Sequence, residues 1–254
     1  MQKINQLLSI WPKGTVKSTK ELIAADISYQ LVAQYVKSGW LQPLGRGAYK
    51  LNGDVIELHG AVYSLQRSIG LKLHPGGKTA LILKGFGHYM SDTTDNFHLY
   101  YSGDVLLPEW FRSVWKNKIK SVKTEKFNYS DSGYFTDHTE NTLKIKISSP
   151  ELAVVEMLNQ TPSLNTVTET VQIMEGLMNL RADLLIKILN ELNSVKVNRL
   201  ILFISERTGL PCFPYLRDAG LNLGSGKRKI AENGFLEKKY NITLPDDLKE
   251  FNIL

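Results

Sequence analysis

Gln30, Gln34 and Lys37 fall at i, i+4 and i+7, the spacing that puts three polar side chains on one face of a helix. A glutamine amide carries a donor and an acceptor side by side, the pattern that pairs with an adenine edge in the major groove. A lysine at the end of the same stripe reaches a guanine edge or a phosphate. Arg46 stands between Gly45 and Gly47, a cation on a flexible tip, suited to a minor groove or a backbone grip. Lys17, Ser18, Thr19 and Lys20 lead into an apolar run, where the free N–H groups of a helix N-terminus and local charge suit a phosphate.

These residues need elements to hold them. Residues 3–10 space Ile4, Leu7 and Leu8 as a short helix, which Trp11-Pro12 ends. Lys13 to Val16 reads as a turn. Ser18 three residues before Glu21 has the form of a capping box opening a second helix. Asp26-Ile27-Ser28 is a turn, with Ser28 as N-cap of a third helix, Tyr29 to Lys37, and Gly39 as its left-handed stop. Leu31, Val32 and Tyr35 give that helix an apolar side opposite the Gln30/Gln34/Lys37 stripe. Two extended pieces from Trp40 to Leu51 flank Gly45-Arg46-Gly47 as a β-hairpin. Three helices and a hairpin in about 50 residues are the layout of a winged helix-turn-helix.

Charge is concentrated in the same place. The first 52 residues hold seven Lys/Arg and two acids, so they account for +5 of a net +6 over 254 residues. A basic start on a near-neutral body marks a docking module joined to something else. Apolar content of 43% and charged content of 22% are those of a globular chain with a real core. No run approaches the ~20 apolar residues of a membrane span, and the start has no stretch fit for a signal peptide. The expectation is a cytoplasmic protein, with the single Cys212 as a buried small hydrophobe.

Further along, residues 55–69 space apolar side chains as a helix carrying His59, expected as a structural histidine. Residues 71–74 read as a strand, and a helix begins at Lys78. Residues 96–102, 118–127 and 143–147 alternate as strands. Ser149-Pro150-Glu151 supplies N-cap, N1 proline and first-turn acid for a helix to about Leu158. Three amphipathic segments follow, 166–178, 181–192 and 197–207, with Leu184, Leu185, Ile188, Leu189 and Leu192 as the clearest core stripe. Lys227 to Lys229 with Lys238 and Lys239 form a late basic surface, read as a solvated face. The fold class is α+β: an N-terminal winged helix-turn-helix, then a larger C-terminal domain with a small mixed or antiparallel sheet and a helical last third.

Little else carries chemistry. Gly76-Gly77-Lys78-Thr79 lacks the earlier glycine of a phosphate loop and reads as a turn. The five histidines, at 59, 74, 88, 98 and 138, show no ligand spacing, so no metal and no cofactor is expected. No GxSxG elbow or Cys–His pair is present, and no catalytic residue is assigned. Glu237-x-Lys239 and Asp247-x-Lys249 fit the loose end of a nuclease signature. A DNA-targeted nuclease and a winged-helix protein-docking adaptor therefore stand as alternatives to a DNA-binding regulator.

WPKGTV, ISYQLVAQYVKSGWLQPLGRGAYKL, HGAVYSLQ and HPGGKTALILKGFGHY, in that order over residues 11–89, closely resemble the AbiEi-like antitoxins of type IV abortive-infection toxin–antitoxin systems. Weaker echoes follow in LPEWF (107–111) and ISSPELAVVEML (147–158). The resemblance implies a bacterial transcriptional autorepressor acting in phage defence. Its partner would be double-stranded DNA, the inverted repeats of its own promoter. It would also antagonise a nucleotidyltransferase-like toxin without a stable complex and without a membrane role. It places Tyr29, Gln30, Gln34, Lys37 and Arg46 in the DNA-contacting role; with Lys17, Ser18, Thr19, Lys20 and Ser28 they make the expected DNA-binding set. The expected division is 1–93, a DNA-binding region with its winged-helix core at about 3–52, and 94–254, an antitoxin-type α+β domain.

Overall fold

The computed structural model describes residues 2–86, 96–124 and 132–249. Its chain forms two compact units that are interleaved along the sequence. Unit 1 comprises Met1–His74, Leu99–Lys123 and Asp137–Lys146; unit 2 comprises Pro75–His98, Thr124–Thr136 and Ile147–Leu254. The expected boundary at residue 93 lies outside the described residues.

Unit 1 opens with α1 (Gln2–Ile10), β1 (Lys17–Ser18), α2 (Thr19–Ala24), α3 (Tyr29–Lys37), β2 (Leu41–Gly45) and β3 (Ala48–Leu51). That is the order of a winged helix. The capping box forms as the sequence predicts: Ser18 Oγ accepts from Glu21 N at 3.2 Å, and Glu21 Oε2 accepts from Ser18 N at 2.8 Å. Ser28 Oγ caps α3 by accepting from Leu31 N at 3.3 Å, and Gly39 ends it at φ +74°. The turn expected over 13–16 leads into a strand the sequence did not announce. β1 pairs antiparallel with β3, Lys17 opposite Tyr49 and Ser18 opposite Ala48, giving the sheet order β1-β3-β2. Two residues are too few to show alternation, and their partner lies about 30 positions away, so no local pattern marks them.

Ile4, Leu7, Trp11, Leu22, Ile27, Val32, Tyr35, Leu41 and Leu51 form the buried core of this module. Each of the three helices and both hairpin strands contributes to it. Fully burying a side chain of this size is worth roughly 1.5–3 kcal/mol. The hydrophobic side of α3 is thereby committed inward, which leaves its Gln30/Gln34/Lys37 side to solvent.

The middle of the chain carries α4 (Leu58–Tyr63), β4 (Leu73–Pro75), α5 (Gly77–Leu83), β5 (Phe97–Tyr101), α6 (Glu109–Trp115), β6 (Ile119–Lys123), β7 (Phe135–Glu140) and β8 (Leu143–Ser148). The helix expected over 55–69 starts three residues late, after Glu57, and its last turn, Ser64–Ser68, is a π-helix. The strand expected over 118–127 is observed to Lys123; residues 125–127 lie outside the described residues. β8 alternates buried and exposed residues from Leu143 to Ile147, as its sequence requires. Its partner β7 was not expected, because FTDHTE has no alternation of apolar and polar residues. The sheets are β4-β5-β6 and β7-β8.

Unit 2 is built around α7 (Pro150–Gln160), whose residues 151–158 are all buried. It packs against α5, α8 (Val167–Glu175), α9 (Ala182–Leu192) and α10 (Val195–Arg207). Leu185, Ile188, Leu189 and Leu192 of α9 are core, as their spacing predicts. The last third is less uniformly helical than expected. After α10 come α11 (Phe213–Asp218) and a mixed sheet of β9 (Arg228–Lys229), β10 (Phe235–Glu237) and β11 (Ile242–Leu244). β11 is central, antiparallel to β10 and parallel to β9. Buried Arg199 of α10 ties this region down by donating to the carbonyls of Leu223, Gly226 and Asn241 at 2.6, 2.7 and 2.9 Å. Strands of two or three residues leave no period to read. Cys212 is buried, and burial pushes its thiol pKa up, away from reactive thiolate.

Candidate nucleic-acid interface

α3 presents one solvent-facing side made of Tyr29, Gln30, Gln34 and Lys37, all exposed. Tyr29, at the first helical position, is 72% exposed, far more than a tyrosine needed for packing. Val32 and Tyr35 hold the opposite side in the core. Lys37 lies in the last turn, where a cation is favoured by the helix dipole. No ion pair is formed by Lys37 among the described residues.

The wing is the β2–β3 hairpin. Arg46 is exposed at its tip, and Gly47 takes φ +70°, a left-handed conformation that a two-residue turn needs. A register shift between Pro43 and Gly45 bends β2 toward that tip. Below the tip, an ideal Cβ on Gly45 would lie 3.6 Å from Trp110 Cβ, so the hairpin rests on α6 within unit 1. Trp110, Phe111 and Trp115 make α6 a rigid aromatic cluster with ring centroids 5.2–6.2 Å apart. The wing is thus braced at its root and free at its arginine.

The Lys17–Lys20 segment is arranged differently from a row of equivalent phosphate ligands. Lys17 belongs to β1, is half-buried, and places Nζ 3.6 Å from a Glu21 carboxylate oxygen and 5.8 Å from the Trp11 ring. Ser18 Oγ is engaged in the capping box. The backbone N–H of Thr19 donates to the Gly47 carbonyl at 2.8 Å, which ties α2 to the wing turn. Lys20 is exposed and forms no ion pair among the described residues. Lys3, also basic, is paired with Asp26 at 2.5 Å, and that pairing holds the Asp26 carboxyl below its usual range. The exposed cations of the module without an ion pair among the described residues are therefore Lys13, Lys20, Lys37 and Arg46, of which the last three lie on α2, α3 and the wing.

Other motifs are accounted for structurally. Gly76 precedes α5, and Lys78 beside it forms a buried ion pair with Glu169. The Gly77 N–H donates to buried Glu156 at 2.8 Å, which also accepts from Ser148 Oγ at 2.7 Å. Glu237 accepts from the backbone of Lys239 and Tyr240, and Asp247 accepts from Thr168 Oγ1 at 2.5 Å. In the late basic surface, Lys239 pairs with Glu206 and Lys229 with Glu232. Among the described residues one group of His, Asp, Glu or Cys has ligand atoms close together: His59, His138 and Glu140, none of them in α3 or the wing.

A basic winged helix with a braced wing, followed by a larger α+β body, defines the class of this protein. Two family profiles then cover its length. Residues 1–92 match "Transcriptional regulator, AbiEi antitoxin N-terminal domain", and residues 94–245 match "Transcriptional regulator, AbiEi antitoxin, Type IV TA system". The chain belongs to the AbiEi antitoxin family of transcriptional regulators from type IV toxin–antitoxin systems. The RV2827C protein from Mycobacterium tuberculosis shares the fold at 13% identity and a TM-score of 0.63, over 90% of this chain and 85% of that one. A search of curated proteins gives no match. Among the described residues no helix is long and apolar enough to cross a membrane.

Proposed function

We propose that this protein is a DNA-binding autorepressor that sits on inverted repeats in its own promoter and, as an antitoxin, counteracts a nucleotidyltransferase-like toxin without forming a stable complex with it. It acts in the cytoplasm and without catalysis. Residues 1–93 dock on DNA through their winged-helix core, and residues 94–254 carry the antitoxin function. The observation that carries the DNA reading is the exposed Tyr29/Gln30/Gln34/Lys37 side of a capped helix next to an arginine-tipped wing. α3 would lie in the major groove, where Gln30 and Gln34 pair with base edges. Arg46 would enter the flanking minor groove or hold its backbone, and Lys20 and Lys37 would sit on phosphates. Ser28, Ser18 and Thr19 would serve mainly by fixing the helix starts and the wing, and Lys17 would contribute less than its neighbours because Glu21 neutralises it.

The direct test is binding of the purified chain to DNA from upstream of its own gene. A Gln30→Ala/Gln34→Ala/Arg46→Ala variant is expected to lose discrimination between that DNA and unrelated sequence. Full affinity and selectivity in the triple variant would remove α3 and the wing as the reading surface. A chain that binds no DNA at any salt concentration would favour a protein-docking adaptor.

A further inference from the structure

The fold brings together three side chains that the sequence keeps far apart. His59 lies on α4, and His138 and Glu140 lie two apart on β7, hence on one face of that strand. All three belong to unit 1. Their ligand atoms lie within 4.8 Å of one another, and His59 Nδ1 is 3.4 Å from Glu140 Oε2. Two ligands bound at about 2.1 Å in a tetrahedron stand roughly 3.4 Å apart, so this edge already has the length a metal requires. The two imidazoles pack edge to face at 5.5 Å between centroids.

The surroundings orient the ligands. His59 Nε2–H donates to the Leu143 carbonyl at 2.8 Å. That bond fixes the ring and leaves Nδ1 as the lone-pair nitrogen of the neutral imidazole, the outer support that metal-bound histidines ordinarily have. Only 9% of the His59 side chain is exposed, whereas Glu140 is 46% exposed. Both line a cleft of about 460 Å³, together with Lys13, Glu57, Asn141 and Thr142. A fourth position would therefore face water in the cleft.

We infer that His59 Nδ1, a His138 ring nitrogen and the Glu140 carboxylate form a binding site for a divalent transition-metal ion, zinc being the ion best suited to two imidazoles and one carboxylate. The ion would add a cross-link between α4 and the β7–β8 hairpin, elements joined at this point by the His59–Leu143 hydrogen bond. The set has the three-ligand, one-open-position form of His₂Glu zinc sites.

The test uses the untagged full-length chain, stripped with a chelator and titrated with zinc chloride by calorimetry, then with cobalt(II) by visible absorption. One equivalent of zinc per chain and a cobalt spectrum of the intense four-coordinate type are expected. Zinc should raise the melting temperature. His138→Ala and Glu140→Gln should each weaken zinc binding by roughly 10–100-fold or more while leaving the metal-free far-UV spectrum and melting temperature near those of the parent. These two variants are chosen because His59→Ala would also remove the Leu143 hydrogen bond. Absence of stoichiometric zinc binding would overturn the assignment and leave the three side chains as a structural contact. Zinc affinity unchanged in both variants would overturn it equally.

Discussion

Removing the three exposed cations of α2, α3 and the wing, as Lys20→Ala/Lys37→Ala/Arg46→Ala, should change how DNA affinity depends on salt by an amount the structure sets. All three are exposed, and none forms an ion pair among the described residues, so each is available to neutralise one phosphate. Each phosphate contact contributes a slope of about −0.9 in log K against log salt. Losing three per protomer flattens the slope by about 2.7. Salt raised fourfold, from about 50 to about 200 mM, spans roughly 0.6 log units, so the affinity gap between parent and variant should narrow roughly 40-fold over that range. Fluorescence anisotropy with upstream DNA at four salt concentrations reads this directly. Lys17→Ala serves as the internal comparison. Its charge lies 3.6 Å from Glu21, and the slope should move by well under one contact. Equal slopes for parent and triple variant would refute the placement of these cations on phosphates. A larger shift from Lys17→Ala than from Lys20→Ala would refute the ranking.

Three further outcomes follow from local geometry. Ser28→Ala removes the α3 cap and should lower stability by about 1 kcal/mol in denaturant titration, whereas Ser28→Asp should keep the cap yet weaken DNA binding by adding a negative charge beside Tyr29. In Gly60→Ala the new Cβ would lie 2.0 Å from the Gly14 carbonyl oxygen, a backbone atom, so α4 or the 13–14 turn must move; a loss of roughly 1–3 kcal/mol and a melting temperature several degrees lower are expected, and an unchanged melting curve would contradict the contact. Burial alone would raise the Glu151 carboxyl pKa, but hydrogen bonds from Arg181 at 2.9 and 3.0 Å more than reverse this and hold it below the ordinary 4.5. A carboxyl whose folded-state pKa is depressed stabilises the fold above its ordinary value, and that contribution is lost as pH falls from there through the lowered folded-state value. Arg181→Ala should therefore cost about 1–3 kcal/mol at neutral pH, discounted because Arg181 is half-exposed, and the gap to the parent should shrink below pH 4.5.

The winged helix could be read from the chain because its signals are local. A capping box, an N-cap serine, a stop glycine and a Gly-Arg-Gly hairpin each act within a few residues, so their types and spacing suffice. The exposed polar stripe of α3 is legible for the same reason: a helix of known bounds assigns its own faces, and the core takes the apolar one. Charge clustering at the N-terminus belongs to composition and needs no fold at all.

What sequence spacing left open depends on pairing over distance. β1 has two residues and exists because β3 lies beside it. Lys17 looks equivalent to Lys20 in the chain, yet strand pairing and Glu21 separate them into a neutralised and an accessible cation. The late sheet is three short strands around β11 that no period announces. His59 and His138 are 79 positions apart, a separation without meaning until a helix and a hairpin set their rings 5.5 Å from one another. Short-range torsional and capping preferences are written residue by residue. Long-range packing is chosen by the whole chain, and this protein's accessible cations and its histidine pair belong to that second kind.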